Sequence, residues 1–264
     1  MSETAPAGFA PDSALVRAVL PSPNHDARRG AGRPDALVLH YTGMADGPSA
    51  VRRLRDPAAA VSCHYVVEED GSVLQLVPEA FRAWHAGRGS WAGDADVNSA
   101  AIGIEIVYGG HDFGLPPFPE PQLAAAIALC RDIVGRHGIA AHRVLAHSDT
   151  APDRKRDPGE RFPWDRAAAA GVGLWVPPSP DPAPAAALAP EALRATQADL
   201  ARLGYGIAPS GLHDEASRGV VAAFQRRFRP ARIDGAPDPG TLDTLARLVH
   251  LRFSADPAGF PTRA

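Results

Sequence analysis

The chain has 264 residues, 45% of them hydrophobic, with 27 Lys and Arg against 30 Asp and Glu and a net charge of -3. That length and apolar content suit one large or two smaller globular domains with a sizeable core, and exclude a disordered or fibrous chain. Acids and bases are mixed along the sequence, so no field gathers nucleic acid or an anionic membrane, and the Arg-rich runs read as solvated faces.

The first residues, "MSETAPAGFAPDSALVRAVL", are acidic and interrupted by proline, without the basic flank and unbroken apolar segment of a secretory signal. The expectation from this stretch alone is a cytoplasmic protein, or one whose export signal has been lost. No stretch approaches the run of about 20 apolar residues that a membrane-spanning helix needs. Next, "DALVLHYTG" is apolar with β-branched and aromatic residues and reads as a buried strand with His40 near its end. A short helix at "SAVRRLR" follows. "VSCHYVVEEDGSVLQLV" reads as two strands about a turn at Asp70-Gly71. In "AIGIEIVYGG" a strand points Ile102, Ile104 and Ile106 to one face and Glu105 to the other. "PQLAAAIALCRDIVGRHG" places Leu123, Ile127, Cys130 and Val134 at helical spacing, starts after Pro121 and stops at Gly138. Interleaved strands and helices predict an α/β architecture, a mixed central sheet covered by helices. Two cysteines, Cys63 and Cys130, make no disulfide framework in a chain of this length and read as free thiols.

"WVPPSPDPAPAAALAP" packs proline with alanine and reads as a semi-rigid linker. The predicted division is a domain over 1–176, a linker over 177–190 and a small three-helix bundle over 191–252. In the bundle Leu193, Leu200 and Leu203 mark one face, Val220, Phe224 and Phe228 a second, and Leu242, Leu245 and Leu248 a third.

Candidate metal ligands are His40, His147 and Asp157, at strand ends and in loops. Their spacing is no short local motif, and a lone histidine is more often structural than ligating. What favours a site is the setting of Asp157: a His-Ser-Asp loop followed by the polar, Pro/Gly-punctuated "APDRKRDPG". Two histidines and one carboxylate would leave a tetrahedral ion with an open fourth position, the arrangement used for hydrolysis. In the same stretch Lys155 is the only lysine of the chain, set between Arg154 and Arg156.

The motifs "VLHYTG", "VSCHYVV", "RAWHAG", "IGIEIV" and "AHSDTAPDRKRDPGERFPW", in this order, resemble those of the zinc-dependent N-acetylmuramoyl-L-alanine amidases of type 2. The resemblance is greatest to the branch containing AmiD and AmpD. That family shares its fold with phage T7 lysozyme and the peptidoglycan recognition proteins. Over roughly residues 20–176 the resemblance implies His40, His147 and Asp157 as ligands of one zinc ion, Glu105 as catalytic acid/base and Lys155 as catalytic lysine. It also implies substrate contacts by Trp84, His85 and Asn98, and makes Arg154 a clamp for a stem-peptide carboxylate. His64 is a structural residue in that family, and Cys63 stands where the T7 lysozyme branch has a catalytic tyrosine. The stretches "TQADLARLGY", "VVAAFQRRF" and "IDGAPDPGTLDTL" resemble a peptidoglycan-binding domain of type 1.

The expected activity is hydrolysis of the bond between N-acetylmuramic acid and L-alanine in peptidoglycan or muropeptides, with no nucleic acid and no evident protein partner. The alternative from another class is a non-catalytic peptidoglycan-recognition protein, and a zinc endopeptidase is a second enzymatic alternative. The wall-binding resemblance argues for the periplasm, against the cytoplasmic expectation from the first residues.

Overall fold

The computed structural model describes residues 8–30, 32–180 and 187–254. Its elements are β1 (Val16–Val19), β2 (His25–Ala27), β3 (Ala36–Tyr41), α1 (Gly47–Arg55), β4 (Tyr65–Val67), β5 (Val73–Gln75), β6 (Phe81–Ala83), α2 (Val97–Ala100) and β7 (Ala101–Ile106). They continue with α3 (Glu120–His137), β8 (Val144–Ala146), α4 (His147–Thr150), α5 (Trp164–Ala169), α6 (Pro190–Leu203), α7 (Glu215–Phe228) and α8 (Pro239–Ser254). Part of the predicted linker, residues 181–186, and the first seven residues lie outside the described residues.

Six strands form a mixed sheet in the order β1-β5-β4-β7-β3-β8, and β2 pairs with β6 in a separate ribbon. β4, β7, β3 and β8 run parallel, while β5 returns against β4 through the turn at Asp70-Gly71. Gly71 has a φ of +85°, and a Cβ there would meet the Pro121 carbonyl oxygen at 2.8 Å, so the turn requires glycine. The near-continuous apolar run of β3 follows from its place inside the parallel part of the sheet, where both faces are covered.

On one face Leu37 and Leu39 of β3 and Ile102, Ile104 and Ile106 of β7 pack beneath α3. The buried stripe of α3 is Leu123, Ala126, Leu129, Cys130 and Ile133, whereas the expected Ile127 and Val134 are half-buried. Ala126, Leu129 and Ile133 therefore face the core in place of Ile127 and Val134. The helix begins at Glu120 rather than after Pro121, with Pro121 in the first turn, where its missing N–H costs nothing, and ends at Gly138 with φ +65°.

The opposite face is shared. Val51 and Leu54 of α1 pack with Cys63, Val66 and Leu76 over the β4–β5 side. Over the β3–β8 side, Ala36, Val38 and Leu145 join Leu200, Val220, Phe224 and Leu245 in one core, so α6, α7 and α8 lie directly on the sheet. The predicted apolar faces of these helices are buried except Leu242, which is half-buried beside the buried Thr241 and Thr244. The reading of arginine runs as solvated faces is corrected at Arg28, Arg227 and Arg229, all buried. Both cysteines are buried free thiols.

Candidate active site

His40 stands at the end of β3, in register with Glu105 on β7. Both point to the face left open between α1 and the helical module. His147 was expected in a loop; it is instead the first residue of α4, immediately after β8. Asp149 accepts the backbone N–H of Ala146 at 2.9 Å and so closes the first turn of α4. Asp157 follows in a loop, its carbonyl oxygen accepting the N–H of Ser148 at 3.0 Å.

Three side-chain atoms converge. His40 Nδ1 lies 2.8 Å from His147 Nδ1 and 3.1 Å from Asp157 Oδ2, and His147 Nδ1 lies 2.9 Å from the same oxygen. Donors about 2.0–2.1 Å from a tetrahedral ion are roughly 3.3 Å apart, so this triangle fits a small divalent cation after a shift of a few tenths of an ångström. Burial and the neighbouring His147 push His40 down to about 4, which keeps its imidazole neutral and able to ligate. Burial acts to raise Asp157, but His147 and His40 together hold its carboxyl well below the usual range.

The far nitrogens of both histidines are engaged. His147 Nε2 donates to the Ala86 carbonyl oxygen at 2.9 Å, and His40 Nε2 lies 3.0 Å from His85 Nδ1. With Nδ1 as ligand, Nε2 carries the proton, so each outer partner orients its ring. The His85 ring rests on Gly103 of β7, where a Cβ would overlap it. Asn98 Oδ1 accepts the backbone N–H groups of His85 at 3.0 Å and Ala86 at 2.7 Å. Asn98 therefore sits behind this loop, outside the lining of the cleft.

Above the triangle opens a cleft of about 340 Å³, lined among others by Tyr41, Arg53, Trp84, Glu105 and Lys155. Glu105 Oε2 is buried with no hydrogen-bond partner among the described residues. Burial, reinforced by Asp157 and opposed by Lys155, pushes its carboxyl well above the usual range. Trp84 lines the cleft, with Nε1 donating to Asp26 at 3.2 Å, whereas Trp91 is a core residue packed edge-on against Tyr205. Arg154 borders the cleft, with Nε donating to the Arg88 carbonyl oxygen at 3.0 Å and Nη2 to that of Ala86 at 2.6 Å. His64 Nδ1 accepts the Gly103 N–H at 2.9 Å. The sequence reading missed Tyr41, Arg53 and the seat at Gly103; for the seat, a glycine between Ile102 and Ile104 inside a strand was the available signal.

Two imidazoles and a carboxylate around one point, a second, buried and unpartnered carboxyl beside them and a cleft above define a metal-dependent hydrolase. The chain matches the family model of N-acetylmuramoyl-L-alanine amidases over residues 30–160 and that of a peptidoglycan binding domain over residues 190–245. It is 37% identical over 239 residues to the N-acetylmuramoyl-L-alanine amidase AmiD of Escherichia coli, covering 85% of each chain. It is 34% identical to the 1,6-anhydro-N-acetylmuramyl-L-alanine amidase AmpD of Enterobacter cloacae, over 56% of this chain and 86% of that one. The fold matches AmiD of E. coli, solved in complex with the substrate anhydro-N-acetylmuramic acid-L-Ala-D-γ-Glu-L-Lys, with a TM-score of 0.72 and 35% identity over 88% of this chain and 95% of that one. The protein belongs to the N-acetylmuramoyl-L-alanine amidase family.

Among the described residues no helix is long and apolar enough to cross a membrane.

Proposed function

We propose that this protein is a zinc amidase that hydrolyses the bond between N-acetylmuramic acid and L-alanine in peptidoglycan or its anhydro-muropeptide fragments. The observation that carries the reading is the buried triangle of His40, His147 and Asp157 beside the unpartnered carboxyl of Glu105. The catalytic unit is assigned to residues 1–176, the connector to 177–190 and the helical module to 191–252.

When bound by these three ligands, zinc supplies a Lewis acid and a water that ionises near neutral pH. Glu105 takes a proton from the attacking water and delivers one to the departing alanine nitrogen; a carboxyl raised by burial is matched to both steps. Lys155 brings a compact ammonium to the carbonyl oxygen as that oxygen gains charge. A planar, forked guanidinium is wider and would collide with the substrate or a ligand. Arg154 meets a carboxylate of the stem peptide at the mouth of the cleft. Trp84 and His85, both lining the cleft, offer the substrate ring surfaces, while Asn98 serves binding indirectly, by holding the loop that carries His85. A non-catalytic binder of this fold would gain nothing from an unpartnered buried carboxyl, which costs stability.

The test is turnover of an N-acetylmuramoyl-L-alanyl peptide before and after dialysis against a chelator. Loss of activity, restored by one equivalent of Zn²⁺, is expected; turnover indifferent to chelation would contradict the metal assignment.

A further inference from the structure

We infer that the C-terminal helical module is a working part of the metal centre, in which Arg227 and Tyr205 act through Asp149 as positioning residues for the ligand His147. This rests on the reading of His40, His147 and Asp157 as a metal site. Asp149 lies two residues beyond His147 on α4 and is 0% exposed. Its Oδ2 accepts the Ala146 N–H at 2.9 Å and Nη1 of Arg227 at 2.7 Å, and its Oδ1 accepts the Tyr205 hydroxyl at 2.8 Å. Two of these three donors come from the helical module, Arg227 from α7 and Tyr205 from just after α6.

Arg227 is itself buried, and it reaches the strand before the ligand as well. Nη1 donates to the Val144 carbonyl oxygen at 3.0 Å and Nη2 to that of Leu174 at 3.2 Å, while the guanidinium stacks 3.9 Å over the Trp164 ring. One arginine thus grips β8 on one side of His147 and Asp149 on the other. Tyr205 arrives equally constrained. Its ring packs edge-on against Trp91 with centroids 5.0 Å apart, and the Ala92 N–H donates to the Gly204 carbonyl oxygen at 2.8 Å. A Cβ at Gly204 would overlap the Trp91 ring, so the two modules approach too closely there for any other residue.

A module that served only as a tethered wall anchor would need none of these buried polar bonds. Without its guanidinium, Asp149 becomes an uncompensated buried charge. Relaxation of α4 then carries His147 with it, and a ligand must be held within about 0.5 Å of its productive position. Arg227 and Tyr205, 78 and 56 residues from Asp149 in the chain, are therefore outer supports of the metal supplied by the helical module.

The experiment measures the Zn²⁺ affinity of the full chain by competition with a chromophoric chelator, alongside thermal unfolding of the metal-free protein. It compares the parent with Tyr205→Phe, Arg227→Met and the pair Asp149→Asn with Arg227→Gln. Arg227→Met is expected to weaken zinc binding about 10-fold or more, the scale of lost outer-shell support. Tyr205→Phe should cost about threefold, less than Arg227→Met because the guanidinium still balances the Asp149 carboxylate. The pair, which removes the charge together with its partner, should bind zinc more tightly than Arg227→Met. Affinities within about twofold of the parent in all variants, with only the unfolding temperature lowered, overturn the proposal. Should Arg227→Met fail to fold, Tyr205→Phe, which removes one hydroxyl, decides the matter alone. A parent that binds no zinc removes the metal reading itself, a failure distinct from that of the positioning role.

Discussion

Glu105 joins two facts that are costly together, a buried Oε2 without a partner and a neighbouring carboxylate at Asp157. Its replacement by isosteric glutamine keeps the shape of the cleft and removes the ionisable carboxyl to which proton transfer is assigned in the proposal. Glu105→Gln is expected to bind zinc with parental stoichiometry while kcat falls by about 10²–10⁴, read by metal analysis and steady-state kinetics. Lys155→Arg retains charge but not shape, and a loss of about 10²-fold in kcat with unchanged metal content is the expected result. Gly103→Ala places a methyl group where the His85 ring lies and displaces the partner of His40 Nε2. It should cost about 1–3 kcal/mol of stability, read by urea unfolding, and weaken zinc binding, read by chelator competition; parental values for both would contradict the seat. At this scale much was legible. The single lysine, the acid facing away from three isoleucines and the polar loop around Asp157 all stand out in the sequence. The His85–His40 contact does not, because it depends on a ring resting across a neighbouring strand and 45 residues separate the partners.

Among the elements, the end of α3 is tied to the sheet by charge. Glu79, just beyond β5, accepts the Tyr65 hydroxyl at 2.6 Å, Arg136 at 2.5 and 2.7 Å and His137 at 2.6 Å. Burial opposes ionisation, yet these donors hold its carboxyl well below its ordinary 4.5. The folded state therefore binds fewer protons at this group than the unfolded chain. Its contribution is present above pH 4.5 and is lost as pH falls toward the folded value. His64 has the same sign by another route: burial, with Arg28 nearby, lowers it from 6.5 to about 3, so stability is lost as pH falls below 6.5. Urea unfolding from pH 7 to pH 3.5 should show a steady decline. Glu79→Gln should be less stable by about 3 kcal/mol at pH 7 and lose less on acidification below pH 4.5. Equal slopes for parent and variant would contradict this account. The long periodic helices were readable, whereas β8 and α4 were not: three and four residues are too few to show a period.

At the scale of the whole molecule, the sheet has two coverings, and the second includes the C-terminal helices. Because Val38 and Leu145 share a core with Val220 and Phe224, and Arg227 is buried against Asp149, the chain should unfold as one cooperative unit. A single calorimetric transition is expected; two well-separated transitions would contradict the shared core. Helical spacing made the bundle legible. Its docking was hidden, since Arg227 in "FQRRF" looks like any solvated arginine until Asp149 is brought to it by the fold. The most direct test of the whole account is mass spectrometry of the products formed from intact sacculi and, separately, from soluble anhydro-muropeptide by the zinc-loaded protein, with a chelator control. The account predicts stem peptides beginning at L-alanine, absent when the metal is removed. Peptides cut within the stem, or both substrates left intact, would contradict it.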